Sequence, residues 1–169
     1  HIIVNSPAYL EILAARGIEV SVKDAVDAGS PRVIDLSGLS ADGSVSDAIN
    51  VQKQLFKTAR SVAQSTETPR LFIAVADPFF GSPHAEWTGG IAGLVRTMAL
   101  ELPEVTSRFI ALSKGRVDVD RLAQAVAMEI LEGGADLDIA IDSSGNRTAP
   151  FFENAAALSG PEGEKARLE

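Results

Sequence analysis

The stretch from Ser82 to Pro103 constrains the fold more than any other part of the sequence, because it has the pattern of a helix with marked ends. Ser82 can accept hydrogen bonds from the free backbone N–H groups of a helix start, and Pro103 cannot continue a helix. The apolar residues between them recur with helical spacing: Trp87, Ile91, Leu94, Val95, Met98 and Leu102. We therefore predict a helix that buries one apolar stripe.

Three glycines interrupt this helix and indicate how it packs. Gly89, Gly90 and Gly93 each cost about 1 kcal/mol of helix stability relative to alanine. Packing must offset that cost, and a glycine lets a neighbouring backbone approach closely. We therefore predict a central, heavily buried helix in which these glycines and Trp87 make close helix-packing contacts.

The length and composition of the chain exclude several classes of protein. A chain of 169 residues can bury the core of one domain. Its 23 acidic residues outnumber its 15 basic ones, giving a net charge of −8, which argues against nucleic acid or an anionic membrane as a partner. The sequence has no cysteine for disulfides or thiol chemistry, and no apolar run of about 18 residues that could span a membrane. We expect a cytoplasmic protein.

Strand-like segments alternate with helical segments along the chain. The predicted strands are residues 1–5, 18–22, 33–36, 70–76, 108–112 and 137–141. Helices are predicted to begin near Ser6, near Ser44, within the stretch described above and near Asp118. Ser44 and Asp47 have the spacing of a capping box. The alternation predicts an α/β fold with a mostly parallel sheet that is covered by helices on both faces.

The residues that follow the last of these strands predict a hairpin and then a tail. Residues 143–146 have the composition of a turn, and residues 147–151 are predicted to return antiparallel. Residues 159–169 are polar and contain glycine, so we interpret them as a linker or tail. The domain is therefore predicted to cover residues 1–158.

The sequence lacks the usual marks of a nicotinamide-dependent reductase. A dinucleotide site needs a glycine-rich turn after the first strand, but here that strand runs into Asn5, Ser6 and Pro7. A short-chain reductase also needs a tyrosine with a lysine four residues later, to act as a proton donor. The only tyrosine is Tyr9, and Leu13 follows it at that spacing. We predict no cofactor-binding residues, no cofactor and no catalytic residues.

The sequence also argues against two other kinds of site, a phospho-receiver site and a metal site. A phospho-receiver domain would use Asp77, which follows a central strand, but it would also need an acidic pair where Asn5 and Ser6 stand. We interpret Asp77 instead as the cap of the turn at residues 78–81. The two histidines of the chain, His1 and His84, do not make a metal site.

Two pairs of phenylalanines lie where loops or the tail are predicted. Phe79 and Phe80 follow a strand, and Phe151 and Phe152 lie at the end of the hairpin arm. Apolar pairs in such positions suggest a surface that another chain or segment covers. We predict Phe151 and Phe152 as the interface, with Phe79 and Phe80 as a second choice.

Residues 87–104, WTGGIAGLVRTMALELPE, followed by the strand RFIAL at 108–112, resemble the structural subdomain of ketoreductases. These domains belong to polyketide synthases and to polyunsaturated fatty acid synthases. The family pattern is of the type GGxxGLxRTxxxExPE, and the resemblance extends from about residue 33 to residue 150. The first 30 residues depart from the pattern.

This resemblance implies a fold, a partner and a function. The fold would be a truncated, Rossmann-like (short-chain-reductase-like) three-layer sandwich. The chain would be the first, non-catalytic half of a ketoreductase and would stabilise the catalytic half of the same parent chain, which holds NADPH. The alternative is an autonomous short-chain-reductase-like enzyme or small-molecule binder with an altered pocket. A second half with a GxGxxG turn, following residue 169 in the parent gene, would favour the first interpretation.

Overall fold

The computed structural model describes residues 14–15, 26–39, 44–77, 85–112 and 119–150, without the side chains of 85–88, 119–120 and 122. Several sequence predictions therefore lie outside the described residues. They are the strands at 1–5 and 18–22, the caps Ser82 and Asp118, the four phenylalanines of the predicted interface, and the tail at 159–169.

The described residues form strands and helices in alternation. The elements are β1 (Arg32–Gly38), α1 (Val45–Ala63), β2 (Arg70–Ala76), α2 (Ala85–Glu101), β3 (Val105–Leu112), α3 (Val119–Glu132), β4 (Asp138–Ile141) and β5 (Arg147–Thr148). They build one five-stranded sheet in the order β1-β2-β3-β4-β5. The first four strands are parallel, and β5 is antiparallel to β4. This confirms the prediction of an α/β fold with a mostly parallel sheet, consistent with a truncated Rossmann-like sandwich.

Helix α1 begins where its capping pattern predicts. The Ser44 side chain accepts a hydrogen bond from the backbone N–H of Asp47 at 3.1 Å, which satisfies one free donor of the first turn. The buried residues of the helix recur at helical spacing: Ala48, Leu55, Thr58, Ala59 and Val62. Packing of that stripe on the sheet stabilises a helix of this length more than intrinsic propensity does.

The sheet separates two apolar cores. One core contains Ile73, Val75 and Ile110 of the central strands together with Ala123 and Val126 of α3. Alternate residues of the same strands point the other way and pack under α1 and α2: Phe72, Ala74, Phe109 and Ala111. The described elements therefore form three layers, with α3 on one face of the sheet and α1 and α2 together on the other.

The chain paths between the strands do not all have the same hand. Successive strands β1 to β4 are neighbours and are added in one direction across the sheet. Helices α1 and α2 cover one face on this path, whereas α3 covers the opposite face. The β3–α3–β4 connection therefore has the opposite hand to the two connections before it. Right-handed crossovers are strongly preferred in parallel sheets, so a mixture of the two hands within one sheet is unusual.

Helix α2 buries the predicted apolar stripe but leaves its glycine side open. Ile91, Val95 and Met98 are buried against the sheet. Side chains added at Gly89 and Gly93 would meet nothing within 4 Å. As far as the described residues extend, the prediction that these two glycines make close packing contacts is wrong, because they lie on the face of α2 that points away from the sheet.

Candidate functional site

The carboxyl ends of parallel strands are the usual place for a ligand in an open α/β sheet. One buried carboxylate, Asp77, lies there, directly after β2, and a second buried carboxylate, Asp35, lies in the middle of β1. Asp35 accepts hydrogen bonds from the backbone N–H and the hydroxyl of Ser37, at 2.9 and 2.5 Å. These bonds fix Asp35 in a local turn of its own strand.

Gly38, the last residue of β1, is closely packed. A Cβ at Gly38 would lie 2.7 Å from the Cβ of Ala76, 2.7 Å from the carbonyl oxygen of Val75 and 3.0 Å from the Cδ1 of Ile91. The ends of β1 and β2 and the start of α2 therefore touch at this point. Contacts this tight leave no room for a ligand at Gly38 itself.

A second group of polar residues surrounds the buried guanidinium of Arg108. Its Nη1 donates to the carbonyl oxygen of Glu129 at 2.7 Å, and its Nε donates to the carbonyl oxygen of Asp136 at 3.2 Å. Its Nη2 donates to the carbonyl oxygens of Gly133, at 3.3 Å, and of Gly134. Arg108 thus satisfies backbone oxygens left free at the end of α3, which is a structural role.

The carboxylate of Glu129 joins this group to the edge strand. Its Oε1 lies 2.9 Å from Nη1 of Arg108, and its Oε2 accepts from Nε of Arg147 at 2.6 Å. Arg147 also donates to Asp136 at 2.6 Å. The hydrogen bonds to Glu129 and then to Asp136 raise the pKa of Arg147 above its ordinary value. The network fastens β5 to α3.

A groove between α1 and α2 is the third candidate, and it has a different character. It encloses about 610 Å³. Its lining residues come from both helices: Ile49, Gln52, Lys53, Leu55, Phe56, Lys57 and Arg60 of α1, and Gly90 and Leu94 of α2. The side chains of Ile49 and Phe56 are 47% and 58% exposed, which is unusual for large apolar residues that share one groove.

Basic side chains border the groove on the α1 side. Lys53, Lys57 and Arg60 all lie on it and are exposed. Within residues 44–77 and the other described ranges, none of the three is paired with a carboxylate. The groove thus combines apolar contact area with positive charge on a chain of net charge −8. This combination suits binding of a polypeptide rather than catalysis.

The structure places only part of the predicted site residues. Phe79, Phe80, Phe151 and Phe152 lie outside the described residues, as does the side chain of Trp87. A Cβ at Gly90 would meet the side-chain amide of Gln52 at 3.0 Å, so this glycine lies at the groove, whereas Gly89 and Gly93 face open space.

Sequence reasoning missed the exposed apolar residues of α1. The residue patterns considered above did not include Ile49 and Phe56. The signal was available, because these two residues are seven positions apart and therefore lie on one side of a helix. Two apolar residues at that spacing, outside the buried stripe, indicate a second contact surface.

Comparison with known proteins identifies no relatives: no family model matches the chain, and no curated protein sequence is significantly similar to it. In the parts of the chain that the structure describes, no cluster of three His, Cys, Asp or Glu side chains could hold a metal ion. None of the described helices has both the length and the apolarity to cross a lipid bilayer.

Proposed function

We propose that the chain is the non-catalytic structural half of a ketoreductase in a cytoplasmic polyketide or fatty acid synthase. In this role it stabilises the catalytic half, which follows it in the same parent chain and binds NADPH. The chain itself performs no reduction and holds no cofactor.

The observation that carries this proposal is that polar residues of the ketoreductase-like stretch form ion pairs between elements of the fold. Arg96 donates through Nε to Asp138 at 2.9 Å and so ties α2 to β4. Glu104, at the end of the stretch, accepts from Arg70 at 2.9 Å and ties the end of α2 to the start of β2. Two of the three charged residues of the pattern, Arg96 and Glu104, thus hold elements of the fold together, as a structural half would require, while the third, Glu101, is exposed.

The surface of the domain also supports the proposal. The groove between α1 and α2 exposes Ile49 and Phe56, and Leu100 of α2 is 83% exposed. A domain that works only through a permanent partner is expected to have apolar surface that the partner covers. The predicted interface at Phe151 and Phe152 would add to this surface.

The test compares the intact ketoreductase unit with a variant that carries Phe151→Asp and Phe152→Asp. We expect the variant to reduce ketone substrates more slowly with NADPH, because charges at an apolar interface loosen the catalytic half. The isolated chain should lose little stability from the same changes. Leu131→Asp on α3 is a control, since Leu131 is an exposed apolar residue of the described part of the chain.

Two results would contradict the proposal. Unchanged ketoreductase activity in the double variant would show that the arm is no interface. If the two changes destabilise the isolated chain as much as they destabilise the intact unit, the phenylalanines belong to the chain's own core.

The second candidate is an autonomous enzyme or small-molecule binder of the short-chain-reductase class. It is favoured by Asp77, a buried carboxylate directly after β2 at the carboxyl edge of the sheet. A parent gene without a GxGxxG-bearing second half would favour this candidate over the structural role.

A further inference from the structure

We propose that the groove between α1 and α2 binds an amphipathic helix that carries acidic residues beside its apolar stripe. The helix comes from another polypeptide segment and not from a second copy of this chain. The inference goes beyond the proposed function and does not rest on it, because it depends only on the side chains that line the groove.

The apolar part of the groove has the spacing of a helix-binding surface. Ile49 and Phe56 are seven residues apart on α1, which places them on one side and about 10 Å apart along the helix axis. Helices that dock in grooves use anchors at i, i+3, i+4 and i+7, which span the same distance. Buried Leu55 and partly buried Leu94 give the groove an apolar base.

Gly90 contributes backbone but no side chain to the α2 side of the groove. A Cβ at this position would press on the side chain of Gln52 at 3.0 Å, so any larger residue would fill space between the two helices. On the α2 side the groove is therefore lined by the Gly90 backbone and the partly buried side chain of Leu94.

The charges of the groove select the partner. Lys53, Lys57 and Arg60 lie three and four residues apart and form a row along the same side of α1. Aspartate or glutamate on the docked helix would meet this row, while basic residues there would be repelled. Charge complementarity therefore points to an acidic helix.

The same charges disfavour a second copy of this chain as the occupant. A two-fold dimer through the groove places the same surface on both sides of the interface. It would bring two rows of Lys53, Lys57 and Arg60 together. Such like-charge contact costs binding energy that an acidic helix would gain.

The test titrates the chain with two synthetic helical peptides of about 18 residues, long enough at ~27 Å to cover the groove. Both peptides carry the same leucine stripe, flanked by glutamate in one and by lysine in the other. Fluorescence anisotropy should show the glutamate peptide binding about tenfold tighter or more. The difference should shrink between 0.1 M and 1 M salt, as the screening length falls from about 10 Å to about 3 Å.

Matched variants locate the binding site. Phe56→Ser should weaken the glutamate peptide about tenfold or more, whereas Leu131→Ser, an exposed apolar residue of α3, should not. Lys53→Glu together with Lys57→Glu should remove or invert the preference between the peptides. Arg121→Glu, an exposed cation on α3, should leave the preference in place. Circular dichroism of each variant checks that the fold is retained.

Three outcomes would overturn the inference. The first is that the unchanged chain binds the two peptides with equal affinity or binds neither of them. The second is binding that survives Phe56→Ser in a folded variant. The third is a dimer in sedimentation experiments that Phe56→Ser dissociates, which would identify a second copy as the occupant. Loss of the proposed ketoreductase role alone would change none of these results.

Discussion

Nε of Arg147 donates to Oε2 of Glu129 at 2.6 Å, and this contact joins the edge strand β5 to α3. The same Glu129 lies 2.9 Å from the guanidinium of buried Arg108. One buried carboxylate therefore serves two arginines, one inside the protein and one at its edge. The two arginines contribute differently to stability because water screens only the outer one.

Arg108→Met is expected to destabilise the protein by about 3 kcal/mol or more, since it leaves Glu129 and several backbone oxygens buried without their donor. Arg147→Met is expected to cost about 1 kcal/mol or less, because its side chain is 39% exposed. Urea unfolding of both variants measures the difference. Equal losses would show that the inner pair is not energetically distinct from the outer one.

Acid should weaken the turn after β4 through Asp142. Hydrogen bonds from the Asn146 side chain, and then from its backbone, lower the pKa of Asp142 below its ordinary value of 3.8. The folded protein therefore releases this proton more readily than the unfolded chain. The stability that Asp142 contributes is complete above pH 3.8 and is lost as the pH falls through the lower folded pKa.

The measurement is chemical unfolding of the protein and of Asp142→Asn across this acidic range. The variant should lose less stability on acidification than the parent, because asparagine does not titrate. Asp136→Asn provides a comparison at a second exposed carboxylate. Parallel curves for the parent and Asp142→Asn would contradict the assignment.

Gly93→Ala is expected to stabilise the protein by up to about 1 kcal/mol, because its Cβ meets open space and alanine favours the helix. Gly38→Ala is expected to destabilise it by about 1 to 3 kcal/mol, because the new Cβ would overlap Ala76 and the Val75 carbonyl. Thermal melting of the two variants shows whether each is more or less stable than the parent protein. A lower melting temperature for Gly93→Ala would mean that the glycine side of α2 is covered.

NADPH is expected to bind the isolated chain only weakly, with a dissociation constant above about 10 μM, or weaker than about −7 kcal/mol. The reason is the sequence after the first predicted strand, where Pro7 stands in place of a glycine turn. Calorimetric titration measures the affinity. Tighter binding would favour the autonomous binder over the structural half.

Much of the described fold could be predicted from residue patterns. The apolar run RLFIAVA coincides with β2, and the capping pattern of Ser44 and Asp47 marks the start of α1. These features are local, because a cap or a buried strand depends on neighbouring residues in the sequence. Gly133 likewise follows directly after the last residue of α3.

The candidate site could not be predicted in the same way. The glycines of α2 indicated close packing, but the sequence does not say which side of a helix its neighbours occupy. Likewise, Ile49 and Phe56 become a groove only because α2 lies beside α1 on the same face of the sheet. The choice of face was beyond the sequence patterns, since α3 lies on the opposite face of the sheet from α1 and α2 although the strands are added in one direction.

The sequence by itself thus determined the order and type of the described elements and the buried stripe of α2. Hydrophobic periodicity and helix capping act over a few residues, so the chain carries that information locally. Only the tertiary structure decided which glycines are open, which carboxylate Arg108 and Arg147 share, and which apolar residues remain exposed. These features depend on contacts between residues far apart in the chain, which packing alone brings together.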